Sequence, residues 1–205
     1  MERKRSVNKR VPVGAAVFQP RVTNALYRAV FVEWAAVGYG GIRLERVAAR
    51  ARVGKAALYR RWPSKAHLVS EALEIVALTI TGLPDKGSLR GDLEALLRQF
   101  RKTLRRRLVR CILPDLHAEA NRSTALSEVI KKITSARRER GMVLLERAIS
   151  RGELDSEMNL QIAADLLAAP IYWRMVVVGG EYDDRYIDQL VTMLIAGLGA
   201  LRGSD

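Results

Sequence analysis

Residues 44–65 read LERVAARARVGKAALYRRWPSK. Leu44, Val47, Ala48 and Ala51 recur at helical spacing and predict a helix from Leu44 to Ala51. Arg52-Val53-Gly54 is a short break, and Lys55 to Arg61 predicts a second short helix. Trp62-Pro63-Ser64 ends that helix, because Pro63 disfavours helical backbone at the residue before it. Ser64 then suits the cap of a following helix. Leu44, Val47, Ala48, Ala51, Val53 and Leu58 can bury between the two short helices, and the small Ala48 and Ala51 allow close packing at a steep angle. An ordinary helical hairpin shares this spacing. So does the helix-turn-helix, whose second helix enters the major groove of DNA.

Upstream, Pro20 to Val37 predicts a first helix, with Leu26, Val30, Phe31 and Trp34 on one face and Gly38 as its stop. Pro20 suits the first helical position. Residues 1–19 read as a flexible basic arm carrying Arg3, Lys4, Arg5, Lys9 and Arg10. Downstream, a fourth helix is expected from Ser64 to about Thr81, roughly 26 Å long, followed by a linker at 82–87. Further helices are expected near 89–109, 114–121, 124–151, 158–178 and 184–201. In this reading Pro114 starts a helix, Pro170 kinks one, and Asp155 and Ser156 supply a turn and a cap. No stretch has strand periodicity. The fold expected is all-α: the arm (1–19), a three-helix reading head (20–66) and a helical regulatory and dimerisation domain (67–205).

Charge supports a polyanionic partner. The 205 residues carry a net +13, and the excess is not spread evenly. Residues 1–63 hold 14 Lys/Arg against three acids, whereas 64–205 hold 21 against 19. Nucleic acid or an anionic membrane surface would explain that asymmetry. No segment approaches the ~18 uninterrupted apolar residues of a membrane span, and the N-terminus does not read as a signal peptide. Cys111 is the only cysteine, which suits a reducing, cytoplasmic setting. The two histidines, His67 and His117, have no partners at metal-ligand spacing; there is no phosphate-binding Gly loop and no nucleophilic triad. Neither an enzyme nor a metal or cofactor site is expected.

Leu58-Tyr59-Arg60-Arg61-Trp62-Pro63-Ser64-Lys65, with Leu68 after it, resembles the signature of TetR-family transcriptional regulators. Gly38-Tyr39, Val47-Ala48, Ala51 and Val53 fall at matching positions, so the resemblance covers residues 22–70. Arg151-Gly152-Glu153-Leu154 through Leu166-Leu167 and Pro170 looks like one C-terminal subtype of the same family. The chain departs from the pattern at three places. Arg52 stands where the turn usually has Gly, Gly54 where the second short helix usually has a hydroxyl cap, and Arg43 where Thr or Ser usually precedes the first.

The resemblance implies that Lys55, Ala56, Ala57, Tyr59 and Arg60 form the recognition helix. Lys55 and Arg60 suit guanine edges or phosphates, and Ala56 or Ala57 a thymine methyl. Tyr59 and Lys65 are implied phosphate anchors, with Arg43 a further candidate, while Trp62 is expected in the core beneath the turn. It also implies a homodimer on a palindromic double-stranded operator, because two-fold symmetry matches paired half-sites. Ile162 and Leu166 in one late helix, and Ile187, Leu190, Val191, Leu194, Ile195 and Leu198 in the last, either fill the chain's own core or form the dimer interface. A small, mostly apolar effector is implied between the helices, where Phe100, Leu104, Leu113, Leu116, His117, Met142, Leu145, Tyr172, Trp173 and Met175 are candidates. Asp115 and Glu119 would favour a cationic one. The alternative is a DNA-binding architectural protein that answers to no ligand.

Overall fold

The computed structural model describes residues 20–78 and 85–200, without the side chains of 77 and 78. The basic arm, the expected end of the fourth helix and residues 201–205 lie outside the described residues. Those described are helical, with no strand among them: α1 (Pro20–Gly41), α2 (Leu44–Ala51), α3 (Lys55–Arg61), α4 (Lys65–Leu78), α5 (Leu89–Leu104), α6 (Arg107–Ala120), α7 (Thr124–Ser150), α8 (Leu160–Tyr172) and α9 (Asp184–Gly199). A π-helical turn, Trp173–Val177, extends α8.

Helix ends follow local chemistry. Gly38 adopts φ 71°, so α1 breaks where expected and resumes for one more turn to Gly41. Ser88, Ser123, Asn159 and Asp183 each accept a hydrogen bond from a backbone N–H in the first turn of α5, α7, α8 and α9. Asn159, not Ser156, caps α8; Asp155 holds the preceding turn by accepting from the Glu157 N–H.

Two boundaries differ from the sequence reading. The stretch 89–109 is not one helix: α5 stops at Leu104, Arg106 is extended, and α6 begins at Arg107. Three adjacent arginines fall at this break, where solvent screens them. Pro114 does not start a helix but lies inside α6. An interior proline costs about 3 kcal/mol. Burial of Ile112, Leu113 and Leu116 around it offsets that, at about 1.5–3 kcal/mol each. In α8, Pro170 offers no N–H, and within a turn the ladder widens to π spacing, with Val178 N–H donating to the Trp173 carbonyl at 2.9 Å.

The apolar side chains form two cores. One gathers Leu26, Val30 and Trp34 of α1 with Val47, Leu58, Trp62, Leu68 and Val69. Ile112 and Leu116 of α6 and Leu126, Val129 and Ile133 of α7 complete it. The other joins α5, the second half of α7, α8 and α9. The reading head is therefore not closed within 20–66. Helix α7, about 40 Å long by its 27 residues, runs through both cores.

Candidate nucleic-acid interface

Helices α2 and α3 meet across the turn Arg52-Val53-Gly54. Arg52 takes the left-handed conformation (φ 56°, ψ 43°), and its N–H reaches the carbonyls of Ala48 and Ala49. The position usually held by Gly thus keeps its geometry at the cost of strain in a residue with a Cβ. Gly54 caps α3 with no side-chain bond, as expected. Leu58 is fully buried, and the opposite face of α3 presents Lys55, Ala56, Tyr59 and Arg60 to solvent. Ala57 is half-buried. Arg43 is exposed before the first turn of α2.

The two implied phosphate anchors already have partners. Tyr59 donates to Glu45 Oε1 of α2 at 2.5 Å. That bond lowers the Glu45 carboxyl pKa and raises that of the Tyr59 phenol. Lys65 Nζ donates to the carbonyls of Tyr39 (2.7 Å) and Gly40 (3.0 Å) and lies 4.6 Å from the Tyr39 ring centroid. It ties the start of α4 to the end of α1.

Three carboxylates that the sequence did not mark as structural hold the reading head together. Glu33 of α1 is buried and lies 3.7 Å from Arg46 and 3.6 Å from Arg50 of α2. Glu71 of α4 accepts from Tyr27 Oη (2.6 Å), Trp62 Nε1 (2.6 Å) and Arg61 (2.7 Å). Burial pushes the Glu71 pKa up, but these three donors outweigh it and hold the carboxyl below its ordinary value. Asp115 of α6, expected to favour a cationic effector, instead accepts from Trp34 Nε1 and the Tyr39 N–H, both at 2.6 Å. Gly38 beside it holds backbone of positive φ (71°), which glycine adopts without strain. A buried tryptophan N–H requires an acceptor, and that was the available signal.

The expected C-terminal residues divide sharply. Leu104, Leu113, Leu145 and Met175 are buried in the second core, with Phe100, Met142 and Tyr172 packed against it. His117 meets the Tyr172 hydroxyl at 3.0 Å. Leu116 belongs to the reading-head core, and Trp173 is 62% exposed. Of the expected interface residues, Ile187, Val191, Leu194 and Leu198 are buried in the chain's own core, and Leu190 and Ile195 pack beside it. Ile162 and Leu166 face outward.

Helix α8 with its π turn, Leu160–Val177, is long and apolar enough to cross a membrane by length and composition. It nevertheless buries Ala163, Ala164, Leu167, Ile171 and Met175 against other helices. Among the described residues no group of His, Cys, Asp or Glu is placed to hold a metal.

Comparison with known proteins agrees with this arrangement. Residues 26–72 match the description "Bacterial regulatory proteins, tetR family" and residues 83–194 "Tetracyclin repressor-like, C-terminal domain". The chain is 31% identical over 159 residues to the DNA-binding transcriptional repressor TetR of Mycobacteroides abscessus, covering 75% of this chain and 81% of that one. It is 26% identical over 169 residues to YdeS of Bacillus subtilis, an uncharacterised HTH-type transcriptional regulator (82% and 85% covered). The solved structure of Salmonella enterica GusR superposes with TM-score 0.71 at 19% identity, over 90% of this chain and 99% of that one. These relatives and families are transcriptional regulators, not enzymes. The chain belongs to the TetR family of transcriptional regulators.

Proposed function

We propose that the protein is a ligand-responsive repressor that binds a palindromic operator as a homodimer and leaves it when a small, mostly apolar effector binds. The observation that carries the reading is the exposed face of α3, with Lys55, Ala56, Tyr59 and Arg60 beside Arg43. Lys55 and Arg60 reach base edges or phosphates, and Ala56 leaves room for a thymine methyl. Tyr59 contacts a phosphate by turning its hydroxyl from Glu45. Lys65 sets the orientation of α3 and α4 through the end of α1.

The homodimer reading rests on an outward apolar stripe. Ile162, Leu166, Trp173 and Val177 recur at helical spacing on α8 and its π turn, and Met193, 71% exposed, lies on α9. Open Gly197 on α9 allows close approach of another helix. A patch of this kind on a folded chain marks an interaction surface.

Effector response runs through α6. That helix buries Leu113 in the C-terminal core and anchors Trp34 and Tyr39 of the reading head through Asp115. A ligand that displaces α6 therefore moves α1, provided it binds the displaced state more tightly.

Selection of genomic fragments at near-physiological salt, followed by sequencing, tests this reading. It predicts an enriched palindrome whose half-sites are spaced by helical turns. Uniform weak recovery would mean a general DNA-coating protein instead.

A further inference from the structure

Between the two cores lies a polar cluster that the reading head does not use. Arg137 and Arg140 stand on the inward stripe of α7, between Ile133 in one core and Leu144 in the other. Both are half-buried. Arg140 donates to Gln99 of α5 at 3.2 Å, while its Nε is buried with no hydrogen-bond partner. Arg137 makes no hydrogen bond or ion pair among the described residues. The neighbouring Arg138, by contrast, faces outward, one guanidinium nitrogen donating to both carboxylate oxygens of Asp165. His117 and Tyr172 stand nearby, bonded to each other, with His117 on the solvent side.

The charges sense one another, and among the described residues no acid forms an ion pair with Arg137 or Arg140. Burial, and then Arg140, lower the Arg137 pKa; burial lowers that of Arg140. Burial and then Arg137 hold the His117 pKa below its usual value. A carboxylate at this cluster would shift both guanidinium groups the other way. Half-buried cations without a counter-ion are a standing cost, and such groups concentrate where a ligand completes them.

We propose that Arg137 and Arg140 bind the oxyanion head group of an amphipathic effector, whose apolar body lies along Phe100, Met142 and Val176. The proposal rests on the effector reading above and narrows it to a class: an apolar chain or ring system ending in a carboxylate or phosphate. The three apolar residues are half-buried and pack against the second core, so they are available to line a ligand. The guanidinium forks match the geometry of such oxyanions. Because the cluster joins the cores of the reading head and the C-terminal domain, a head group drawn between α5, α6 and α7 acts on α6 directly.

The test is a fluorescence titration of the full-length protein with anilinonaphthalene sulfonate, an amphipathic anion, and with neutral phenylnaphthylamine. We expect saturable sulfonate binding that Arg137→Gln and Arg140→Gln each weaken about tenfold, with the neutral probe shifted less than about twofold. Displacement by dodecanoate or by dodecyl phosphate then separates carboxylate from phosphate. Unchanged sulfonate affinity in both variants, equal losses for the two probes, or no saturable sulfonate binding overturns the proposal. A second readout is thermal: Arg137→Met should raise the Tm of the ligand-free protein, and a fall would mark Arg137 as structural. Operator release by the neutral probe alone would keep the effector reading and discard the anion. Arginine-dependent sulfonate binding without any release would keep the site and discard the effector reading.

Discussion

Arg52 carries a cost that the chain does not have to bear for folding. Its left-handed backbone is strained by about 1–2 kcal/mol relative to glycine. Glycine in turn gives back about 0.5–1 kcal/mol through the entropy of the unfolded chain. The balance predicts that Arg52→Gly raises Tm by about 2 °C, measurable by differential scanning calorimetry. Operator affinity should fall in the same variant, because a cation beside α3 is lost. Glu45 is the opposite case. Its carboxylate accepts from Tyr59 on the exposed face of α3. Glu45→Ala frees Tyr59 and removes repulsion of the DNA backbone, so affinity should rise several-fold at low salt, with the gain shrinking as salt is added. Equal affinity at all salt concentrations would show that Tyr59 does not face a phosphate.

Among the elements, the sequence disclosed those whose ends are written in local chemistry. Lys55 to Arg61 was legible from Gly54 on one side and Pro63 on the other, and Leu44 to Ala51 from its apolar period. The break at Arg105–Arg106 was not, because the apolar period runs on across it and only tertiary packing turns the chain there. Pro114 misled for the same reason, since its helix is held by burial rather than propensity. The exposed face of α3 could be read from one helix alone. Glu71 and Asp115 could not: Trp62 and Arg61 lie within ten residues of Glu71, but Tyr27 lies 44 away, and the partners of Asp115 lie 76–81 away. Glu71 also sets an acid limit. Its folded-state pKa is depressed, so its contribution to stability is present above the unfolded value and is lost as pH falls through the folded one. Glu71→Gln should lower Tm by several degrees at neutral pH. It should also flatten the acid limb of a Tm-against-pH curve, as other carboxylates keep only their own share of it.

At the scale of the molecule, two stripes on one helix divide the labour. The inner face of α8 packs Ala163, Leu167 and Ile171 into the core, while the outer face leaves Ile162, Leu166 and Trp173 uncovered. The hydropathy of α8 reports both faces at once, which is why the sequence alone could not decide between core and interface. If a second copy covers the outer face, a charge placed there disrupts association without touching the fold. Leu166→Glu is the cleanest choice, because Leu166 is 47% exposed and its loss opens no cavity. Light scattering should then give a particle of about the 22.9 kDa chain mass, against twice that for the unaltered protein. Its Tm should change little beyond what lost dimerisation removes by mass action. Operator binding should fall by orders of magnitude, since each recognition helix must then bind its half-site without the other held at the matching spacing. A monomeric variant that still bound the full palindrome with undiminished affinity would place the dimer contact elsewhere on the chain.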